Sequence, residues 1–198
     1  ITLFKRIPAM QLWRKMLSML FETGHPWITF KDAFNIRNPQ SHYGVIHSSN
    51  LCTEIGLVTN HTEIAVCNLG SINLPKFVHI GEDGAVQIST DELVSVVRTA
   101  VRMLDNVIDL NYYPVEQARA SNMKHRPIGL GIMGLQDVYY EMGVAFDSPK
   151  AKEMSDLLMS LIAQTAWYQS ANLAKEKGCY ESFKGSHWSK GILPCDTH

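Results

Sequence analysis

The chain of 198 residues lacks a charge imbalance, a long apolar run and any cysteine pair spaced as C-x-x-C. Its 18 Lys and Arg residues nearly balance 19 Asp and Glu residues, so no charged surface predicts binding to nucleic acid or to an anionic membrane. No stretch is apolar for long enough to span a bilayer, and residues 1–6 do not form a signal peptide. We therefore expect a cytoplasmic protein that binds neither nucleic acid nor membranes.

Cysteine is scarce, with four residues at positions Cys52, Cys67, Cys179 and Cys195. Their spacing matches neither a structural zinc site nor the disulfide framework of a small secreted domain. We expect no metal ion in this chain. All four thiols are therefore candidates either for catalysis or for packing in the interior.

The most informative pattern is the triplet Asn50, Cys52 and Glu54, which sets an amide, a thiol and a carboxylate at alternate positions. If the segment is extended, its period of two places all three side chains on one face. A redox or radical thiol, a carboxylate that takes a proton and an amide that orients a hydroxyl could then act together. The alternative is that Cys52 is a small buried hydrophobic residue.

Cys67 follows Cys52 by fifteen residues, beyond a polar turn at residues 59–63. Two extended pieces joined by such a turn would bring both thiols to the same cavity. Cys67 could equally be a small buried residue, because free cysteine is among the residue types most often found in protein interiors.

Apolar residues at helical spacing, with capping residues or breakers at the ends, predict five helices. The helices begin near Pro8, Ser89, Val115, Leu135 and Ser148, and the first and last end at Gly24 and Gly178. Ser89 and Glu92 have the spacing of a capping box. Extended pieces are predicted at 27–30, 45–58 and 64–74, and the polar residues 35–40 are predicted as a connection. Strands that alternate with helices indicate the α/β class.

Gly129, Gly131 and Gly134 match the G-x-G-x-x-G pattern of dinucleotide-binding folds. The preceding residues 121–127 are not an apolar strand, and no second strand ends in an acidic residue at the expected distance. We therefore favour close packing of a strand against the next helix, where glycine lets backbones approach. A dinucleotide-dependent oxidoreductase is the alternative, and it would require a nicotinamide or flavin cofactor.

Several long motifs, in the same order along almost the entire chain, resemble the catalytic large subunit of class I ribonucleotide reductase. They are residues 48–55, 65–74, 109–114, 121–122, 125–129 and 189–193. In the cobalamin-dependent class, the sequence around the radical cysteine resembles Pro-Cys-Gly-Glu, whereas this chain has Leu51-Cys52-Thr53-Glu54. The resemblance implies a partial ten-stranded α/β barrel, with half-barrel strands, packing helices and a central finger loop.

The resemblance also implies that residues 1–198 are a single segment of the catalytic barrel domain, with the N-terminal and C-terminal flanks missing. The first residue, Ile1, and the last, His198, suit a piece of a longer polypeptide. The fragment alone is expected to be inactive. A non-catalytic assembly module of a split reductase subunit is the alternative.

By resemblance, Cys52 forms a thiyl radical that removes the 3′ hydrogen from a ribonucleoside diphosphate. Glu54 acts as the base at the 3′ hydroxyl, and Asn50 binds the ribose by hydrogen bonding. Cys67 is one thiol of a redox-active disulfide whose partner is absent from the chain, and thioredoxin or glutaredoxin reduces that disulfide. The implied reaction makes 2′-deoxyribonucleoside diphosphates, the precursors of DNA.

The resemblance further implies that the chain itself carries no cofactor. The radical comes from a separate, metal-containing small subunit, and an external dithiol supplies the electrons. Nucleotide effectors bind outside this segment, and the full-length subunit is expected to form a homodimer.

Overall fold

The computed structural model describes residues 5–82 and 84–196. Contacts divide the chain into two compact units, which are described separately below. The first comprises Ile1–Val58 and Ile192–His198, and the second comprises Thr59–Gly191.

The first unit begins with helix α1, Ala9–Thr23, which confirms the predicted helix. Pro8 precedes its first residue, and Gly24 ends it with φ 75°, a left-handed conformation that suits glycine. The Gly24 N–H donates to the Leu20 carbonyl over 2.8 Å. No residue of α1 is buried, and the Phe21 side chain is 93% exposed. The helix therefore carries its apolar residues on an uncovered surface.

One prediction for the segment after α1 is wrong and a second is only partly correct. Residues 27–30 are irregular rather than a strand. Of the connection predicted at 35–40, residues 37–40 are turn or irregular, whereas Asn35 and Ile36 belong to helix α2, Lys31–Ile36. Trp27 and Phe30 are exposed. Aromatic and β-branched residues favour strands only where a neighbouring strand and a packing surface exist. Residues 27–30 have neither.

The described residues of the second unit include four short strands. They are β1 Leu69–Asn73, β2 Val78–Ile80, β3 Val86–Ile88 and β4 Gly129–Met133. Strands β1 and β4 are parallel with Ile72 opposite Ile132, and β2 and β3 form an antiparallel pair with Val78 opposite Ile88. Only the last part of the extended segment predicted at 64–74 is therefore a strand.

The longer helices that the structure describes in the second unit were all predicted. They are α3 Thr90–Leu110, α4 Glu116–His125, α5 Leu135–Glu141 and α6 Pro149–Lys177. Short 3₁₀ helices among the described residues are Leu74–Phe77, Glu181–Phe183, Trp188–Lys190 and Pro194–Asp196. The main hydrophobic core of the second unit includes Ile72, Leu74, Phe77, Leu93, Val97, Val138, Tyr139, Met154, Leu158 and Ile162.

The predicted helix caps are only partly correct. Ser148 Oγ accepts a hydrogen bond from the Ala151 N–H over 3.2 Å at the start of α6, as expected for a cap. Ser89 precedes α3, but its side chain caps no helix N–H. The Glu92 carboxylate instead lies 2.8 Å from His79 Nε2 of β2. The predicted capping box is therefore wrong, because the Ser89 N–H that Glu92 would accept donates instead to the Phe77 carbonyl over 2.8 Å.

The glycine motif forms strand β4 and the turn into α5. A Cβ atom at Gly129 would lie 2.6 Å from Leu69 Cδ2 of β1, and one at Gly134, whose φ is 76°, would clash with the ring of Pro75. The glycines thus permit close packing, although against β1 and Pro75 rather than α5. A dinucleotide cradle needs its glycines between a strand and a helix, and here two of them lie within the strand.

The α/β class is confirmed by the parallel strand pair and the helices that connect it. Among residues 5–82 and 84–196 the strands form two pairs, and the ten-stranded barrel stays a prediction. In the same residues, no helix combines the length and the apolar character that crossing a bilayer requires.

Candidate active site

The triplet Asn50, Cys52 and Glu54 lies in the first unit, on an irregular segment that we call the cysteine loop, residues 44–58. Residues 50–53 form a tight turn, in which the Thr53 N–H donates to the Asn50 carbonyl over 3.1 Å. Thr53 has φ 63°, in the left-handed region. The prediction that this triplet is extended is therefore wrong. Asparagine side chains often bond to nearby backbone and so favour turns over strands.

The Asn50 side chain closes the turn and brings two of the three predicted residues together. Its Nδ2 donates to Glu54 Oε1 over 2.7 Å, and its Oδ1 accepts from the Ile55 N–H over 3.2 Å. Ser49 Oγ donates to the Ile55 carbonyl over 2.7 Å. The amide therefore orients the carboxylate, which remains exposed to incoming groups.

Cys52 occupies the tip of the turn, between Asn50 and Glu54 in sequence. Its thiol is exposed, and the neighbouring Leu51 side chain is 93% exposed. The interpretation of Cys52 as a small buried residue is therefore wrong for this chain. An exposed thiol two residues before an oriented carboxylate can exchange hydrogen with a bound molecule.

The sequence analysis missed the residues that hold this loop. Asn35 of α2 bonds both backbone groups of Ile46: its Oδ1 accepts from the N–H over 2.9 Å, and its Nδ2 donates to the carbonyl over 2.8 Å. This pair of bonds is the one that a neighbouring strand would make. The parts of the cysteine loop before and after the turn are its first and second limbs. Asn35 takes the place of a neighbouring strand for the first limb.

Two further amides bond the same loop. Asn38 Nδ2 donates to the Gly44 carbonyl over 3.0 Å, and Gln40 Oε1 accepts from the Val58 N–H over 2.8 Å. Together we call Asn35, Asn38 and Gln40 the amide clamp. The signal available in the sequence was a cluster of amides before the triplet, within a segment predicted to be a mere connection.

Cys67 lies in the second unit, two residues before the start of β1, and its side chain is exposed. The alternative that Cys67 is a buried small residue is therefore wrong for this chain. Cys52 and Cys67 belong to different units, so their meeting in one cavity stays a prediction. None of the four cysteines is in a disulfide.

The residue after Cys67 is fixed by a buried amide pair. Asn68 Nδ2 donates to Asn122 Oδ1 over 2.7 Å and to the Pro127 carbonyl over 2.8 Å. Asn122, which is 0% exposed, donates from Nδ2 to the Tyr113 hydroxyl over 2.5 Å. Buried polar groups that are all bonded hold a unique arrangement, so this pair fixes the segment next to Cys67.

Glu63 fixes the segment before Cys67 in a similar way. Its carboxylate is buried and accepts from Lys124 Nζ over 2.9 Å and from His125 Nε2 over 2.8 Å. His125 Nδ1 lies 2.7 Å from Ser182 Oγ. Helix α4 therefore holds residues on both sides of Cys67, through partners that are distant in sequence.

A cavity of about 350 Å³ lies elsewhere in the second unit, beside an ion cluster of two acids and two bases. Arg126 donates to Asp109 Oδ1 over 2.6 Å and to Asp105 Oδ1 over 2.9 Å, and Lys177 Nζ donates to Asp105 Oδ2 over 2.6 Å. The hydrogen bond from Arg126 holds the pKa of Asp109 below its usual value, and the same bond raises the pKa of Arg126. Each charge thus has an opposite partner. Cys179 also lines this cavity.

Within the part of the chain that the structure describes, no three His, Cys, Asp or Glu side chains converge as ligands for a metal ion. The exposed thiol, carboxylate and amide of the cysteine loop are the best candidates for chemistry.

Comparisons with known proteins identify relatives of one kind. The ribonucleoside-diphosphate reductase subunit alpha of Chlamydia trachomatis (serovar D) is 55% identical over 197 residues, which are 100% of this chain and 18% of that protein. The ribonucleoside-diphosphate reductase large chain of Schizosaccharomyces pombe is 40% identical over 192 residues, 97% of this chain and 23% of that protein. The chain therefore spans about a fifth of the length of these curated relatives.

A solved structure agrees with these relatives. The class Id ribonucleotide reductase alpha subunit of Actinobacillus ureae has a TM-score of 0.75 and 31% sequence identity, and the match covers 89% of this chain and 34% of that chain. The model of the ribonucleotide reductase barrel domain matches residues 2–198. Because this match extends over nearly every residue, the chain belongs to the ribonucleotide reductase barrel-domain family.

Proposed function

We propose that this chain is the catalytic segment of a subunit that reduces ribonucleoside diphosphates to 2′-deoxyribonucleoside diphosphates. The observation that carries the proposal is the tight turn that exposes Cys52, which lies between Asn50 and Glu54 in sequence, while the Asn50 amide donates to the Glu54 carboxylate. Relatives that match the entire chain are named ribonucleoside-diphosphate reductase subunits, which supports this choice of substrate.

The first step would use all three residues of the turn. A Cys52 thiyl radical takes the hydrogen atom from C3′, so that an S–H bond forms and the unpaired electron moves to C3′. Glu54 takes the proton of the 3′ hydroxyl, which stabilises the sugar radical. Asn50 bonds Oε1 of Glu54 and leaves Oε2 for that hydroxyl. The amide would also donate to the ribose when the substrate displaces part of this bond.

Reduction would then require two electrons from a pair of thiols. One thiol protonates the 2′ hydroxyl, which leaves as water, and the other gives C2′ a hydrogen atom, so that a C2′–H bond replaces the C2′–O bond. As the two sulfurs close to a disulfide, they pass the second electron to the sugar, Glu54 returns its proton to the 3′ oxygen, and Cys52 returns the hydrogen atom to C3′. Cys67 is one thiol of the pair, and the other belongs to a segment outside this chain. A dithiol protein of the thioredoxin or glutaredoxin type reduces the disulfide after each turnover.

The remaining parts of the reductase are proposals of the same kind. A separate metal-containing subunit generates the radical, nucleotide effectors bind to other segments, and the full-length subunit forms a homodimer. We also propose that the two strand pairs belong to a ten-stranded barrel completed by other segments. Cys52 is exposed in this chain, and a thiyl radical survives only where water is excluded. The rest of the subunit would therefore cover the cysteine loop.

The proposal is tested in the full-length subunit with its radical-generating partner. Cys52→Ala should abolish diphosphate reduction without lowering the unfolding temperature, because the side-chain bonds that hold the turn come from Asn50 and Ser49 rather than from the thiol. The matched control is Cys179→Ala, which removes a thiol beside the ion cluster and should leave turnover unchanged. Unchanged turnover in Cys52→Ala would reject the proposal and favour a non-catalytic assembly module.

The role of Cys67 needs a separate measurement. Cys67→Ser should prevent repeated turnover with thioredoxin as the reductant, because the disulfide can no longer form. Steady cycling by this variant would exclude the redox role of Cys67 while leaving that of Cys52 intact.

A further inference from the structure

The cysteine loop lacks a strand partner, yet its backbone is bonded at three places by the amide clamp. Asn38 is 1% exposed and Gln40 is 7% exposed, so these amides make their bonds in a buried setting. A buried backbone N–H without a partner is costly, because it loses its bond to water and gains nothing in return. The Val58 N–H, for which Gln40 is the acceptor, therefore depends on that residue.

Close packing restricts the loop further. A Cβ atom at Gly44 would lie 2.8 Å from Val58 Cγ1, so the two limbs of the loop are in contact. A Cβ atom at Gly56 would lie 2.6 Å from Phe34 Cδ1, so helix α2 covers the second limb. The limbs cannot slide past each other or away from α2 without losing these contacts.

The tip of the loop has an unfavourable backbone conformation. Thr53, next to Cys52, has φ 63°, which β-branched residues rarely adopt. Such a residue persists only where the surrounding structure determines its conformation. The bonds of Asn50 act at the tip, and the amide clamp acts at the base of both limbs.

We infer that Asn35, Asn38 and Gln40 are positioning residues that hold the Cys52 thiol at the distance that hydrogen transfer from C3′ requires. This inference rests on the proposed function. Reacting atoms must approach within about 3 to 3.5 Å, and a displacement of about 1 Å can reduce the rate roughly 100-fold. None of the three residues is proposed to contact the substrate.

The test compares Gln40→Leu with Gln40→Glu in the full-length subunit and its radical-generating partner. Leucine is similar in size but cannot accept the Val58 hydrogen bond, whereas glutamate keeps an oxygen acceptor. Gln40→Leu should lower kcat roughly 10- to 100-fold and leave the KM for the diphosphate nearly unchanged. Gln40→Glu should recover most of kcat. The matched control is Gln87→Leu, at an exposed residue of β3 in the other unit.

A kinetic isotope effect separates positioning from stability. With substrate deuterated at C3′, Gln40→Leu should show a larger isotope effect than the wild type, because hydrogen transfer becomes slower relative to the other steps. Asn35→Asp keeps the acceptor for the Ile46 N–H and loses the donor to its carbonyl, so it should show the same change to a smaller extent. It also provides the measurement if Gln40→Leu does not fold.

Two results would overturn the inference. One is a wild-type kcat and isotope effect in both Gln40→Leu and Asn35→Asp. The other is a loss of activity that follows the unfolding temperature with an unchanged isotope effect, which would make the clamp merely structural. If the wild-type protein reduces no diphosphate, or Cys52→Ala is fully active, the proposed function itself fails. The two failures are thus distinct.

Discussion

Thr53 combines a β-branched side chain with a left-handed backbone, and it follows the residue proposed to carry the radical. A left-handed conformation costs a non-glycine residue roughly 1 to 2 kcal/mol. The Asn50 hydrogen bonds and the limbs of the cysteine loop offset this cost. The turn is therefore held by its surroundings rather than by the preference of its own residues.

Replacing Thr53 tests that account. Thr53→Gly removes the steric cost, whereas Thr53→Val keeps the branched side chain and its strain. Glycine also has a greater entropy in the unfolded state, and the measured difference is first corrected for this contribution. The free energy of unfolding of the glycine variant should then exceed that of the valine variant by about 1 kcal/mol. Urea unfolding of both variants measures this difference. Equal stabilities would mean that the turn is not strained.

The ion pair between Asp109 and Arg126 predicts a dependence of stability on pH. Arg126 lowers the pKa of Asp109 in the folded state. The ion pair therefore stabilises the folded state fully at pH values above the unfolded pKa of about 3.9. This stabilisation is lost as the pH falls through the lower folded pKa. Wild type should therefore exceed Asp109→Asn in free energy of unfolding at neutral pH, and the gap should narrow below about pH 4.

Acid titration of unfolding, followed by circular dichroism, measures that gap. The control is Asp156→Asn, at an exposed residue of α6, which should follow the wild-type curve closely. A gap between wild type and Asp109→Asn that is constant from pH 7 to about pH 2 would contradict the prediction.

Sequence reasoning identified the residues of the turn but not their geometry. A period of two requires an extended backbone, and the bonds of the Asn50 side chain to Glu54 and Ile55 create a turn instead. The residues that hold the segments around Cys67 could not be predicted, for a different reason. Asn68 and Asn122 are 54 residues apart in sequence, and no local pattern reports a partner at that distance.

Gly134, at the junction of β4 and α5, combines two demands on glycine: a positive φ and the contact with Pro75. Gly143 has a φ of 63° but nothing within 4 Å of its Cβ position. Gly143→Ala should therefore cost only about 1 to 2 kcal/mol, the strain of the conformation. Gly134→Ala should cost more, because Pro75 cannot rotate away.

Thermal unfolding of the two alanine variants gives the comparison. The difference between them reports the close approach of neighbouring atoms at Gly134, chiefly the Pro75 ring with a smaller contribution from Asn73 Oδ1, since both variants share the backbone strain. If Gly143→Ala proved as destabilising as Gly134→Ala, the contact with Pro75 would have no energetic weight.

Helices were predicted more accurately than strands, and the reason is physical. A helix such as α6 makes its backbone bonds within itself, so that Ser148, Pro149 and Gly178 mark its ends in the sequence. A strand depends on a partner supplied by tertiary structure. Residues 27–30 have the composition of a strand and no partner, while β4 is rich in glycine and pairs with β1.

The two compact units differ in what they bury. Helix α1 of the first unit has no buried residue, whereas α3 of the second unit buries Leu93, Val97, Val101, Leu104 and Ile108. Tertiary packing supplies most of the stability of helices in proteins. In the isolated chain, α1 should therefore be much less stable than α3.

Hydrogen exchange in the 198-residue chain measures this difference. Amides of α1 should exchange at rates close to those of an isolated helix. Amides in the middle of α3 should be protected, because they exchange only when the core opens. Comparison with a full-length subunit provides the control, because segments that cover α1 would slow its exchange. Equal protection of α1 and α3 in the isolated chain would contradict the prediction.

Family membership could be predicted from the sequence because several long motifs occur in one order, and the family model bears it out over residues 2–198. The barrel could not be tested in the same way. Among the residues that the structure describes, four strands in two pairs are too few to define its closure, and the chain spans about a fifth of its curated relatives.

The amide clamp contacts the backbone of the cysteine loop, and this has a consequence for evolution. The partners of Asn35, Asn38 and Gln40 are N–H and carbonyl groups of Ile46, Gly44 and Val58. Nearly every amino acid provides these groups, so the clamp itself does not select the side chains at positions 46 and 58. Within the loop, selection acts on Gly44 and Gly56 through close packing and on Asn50, Cys52 and Glu54 through the proposed chemistry. Selection on the geometry of the loop should therefore extend to residues 35–40, outside the loop itself.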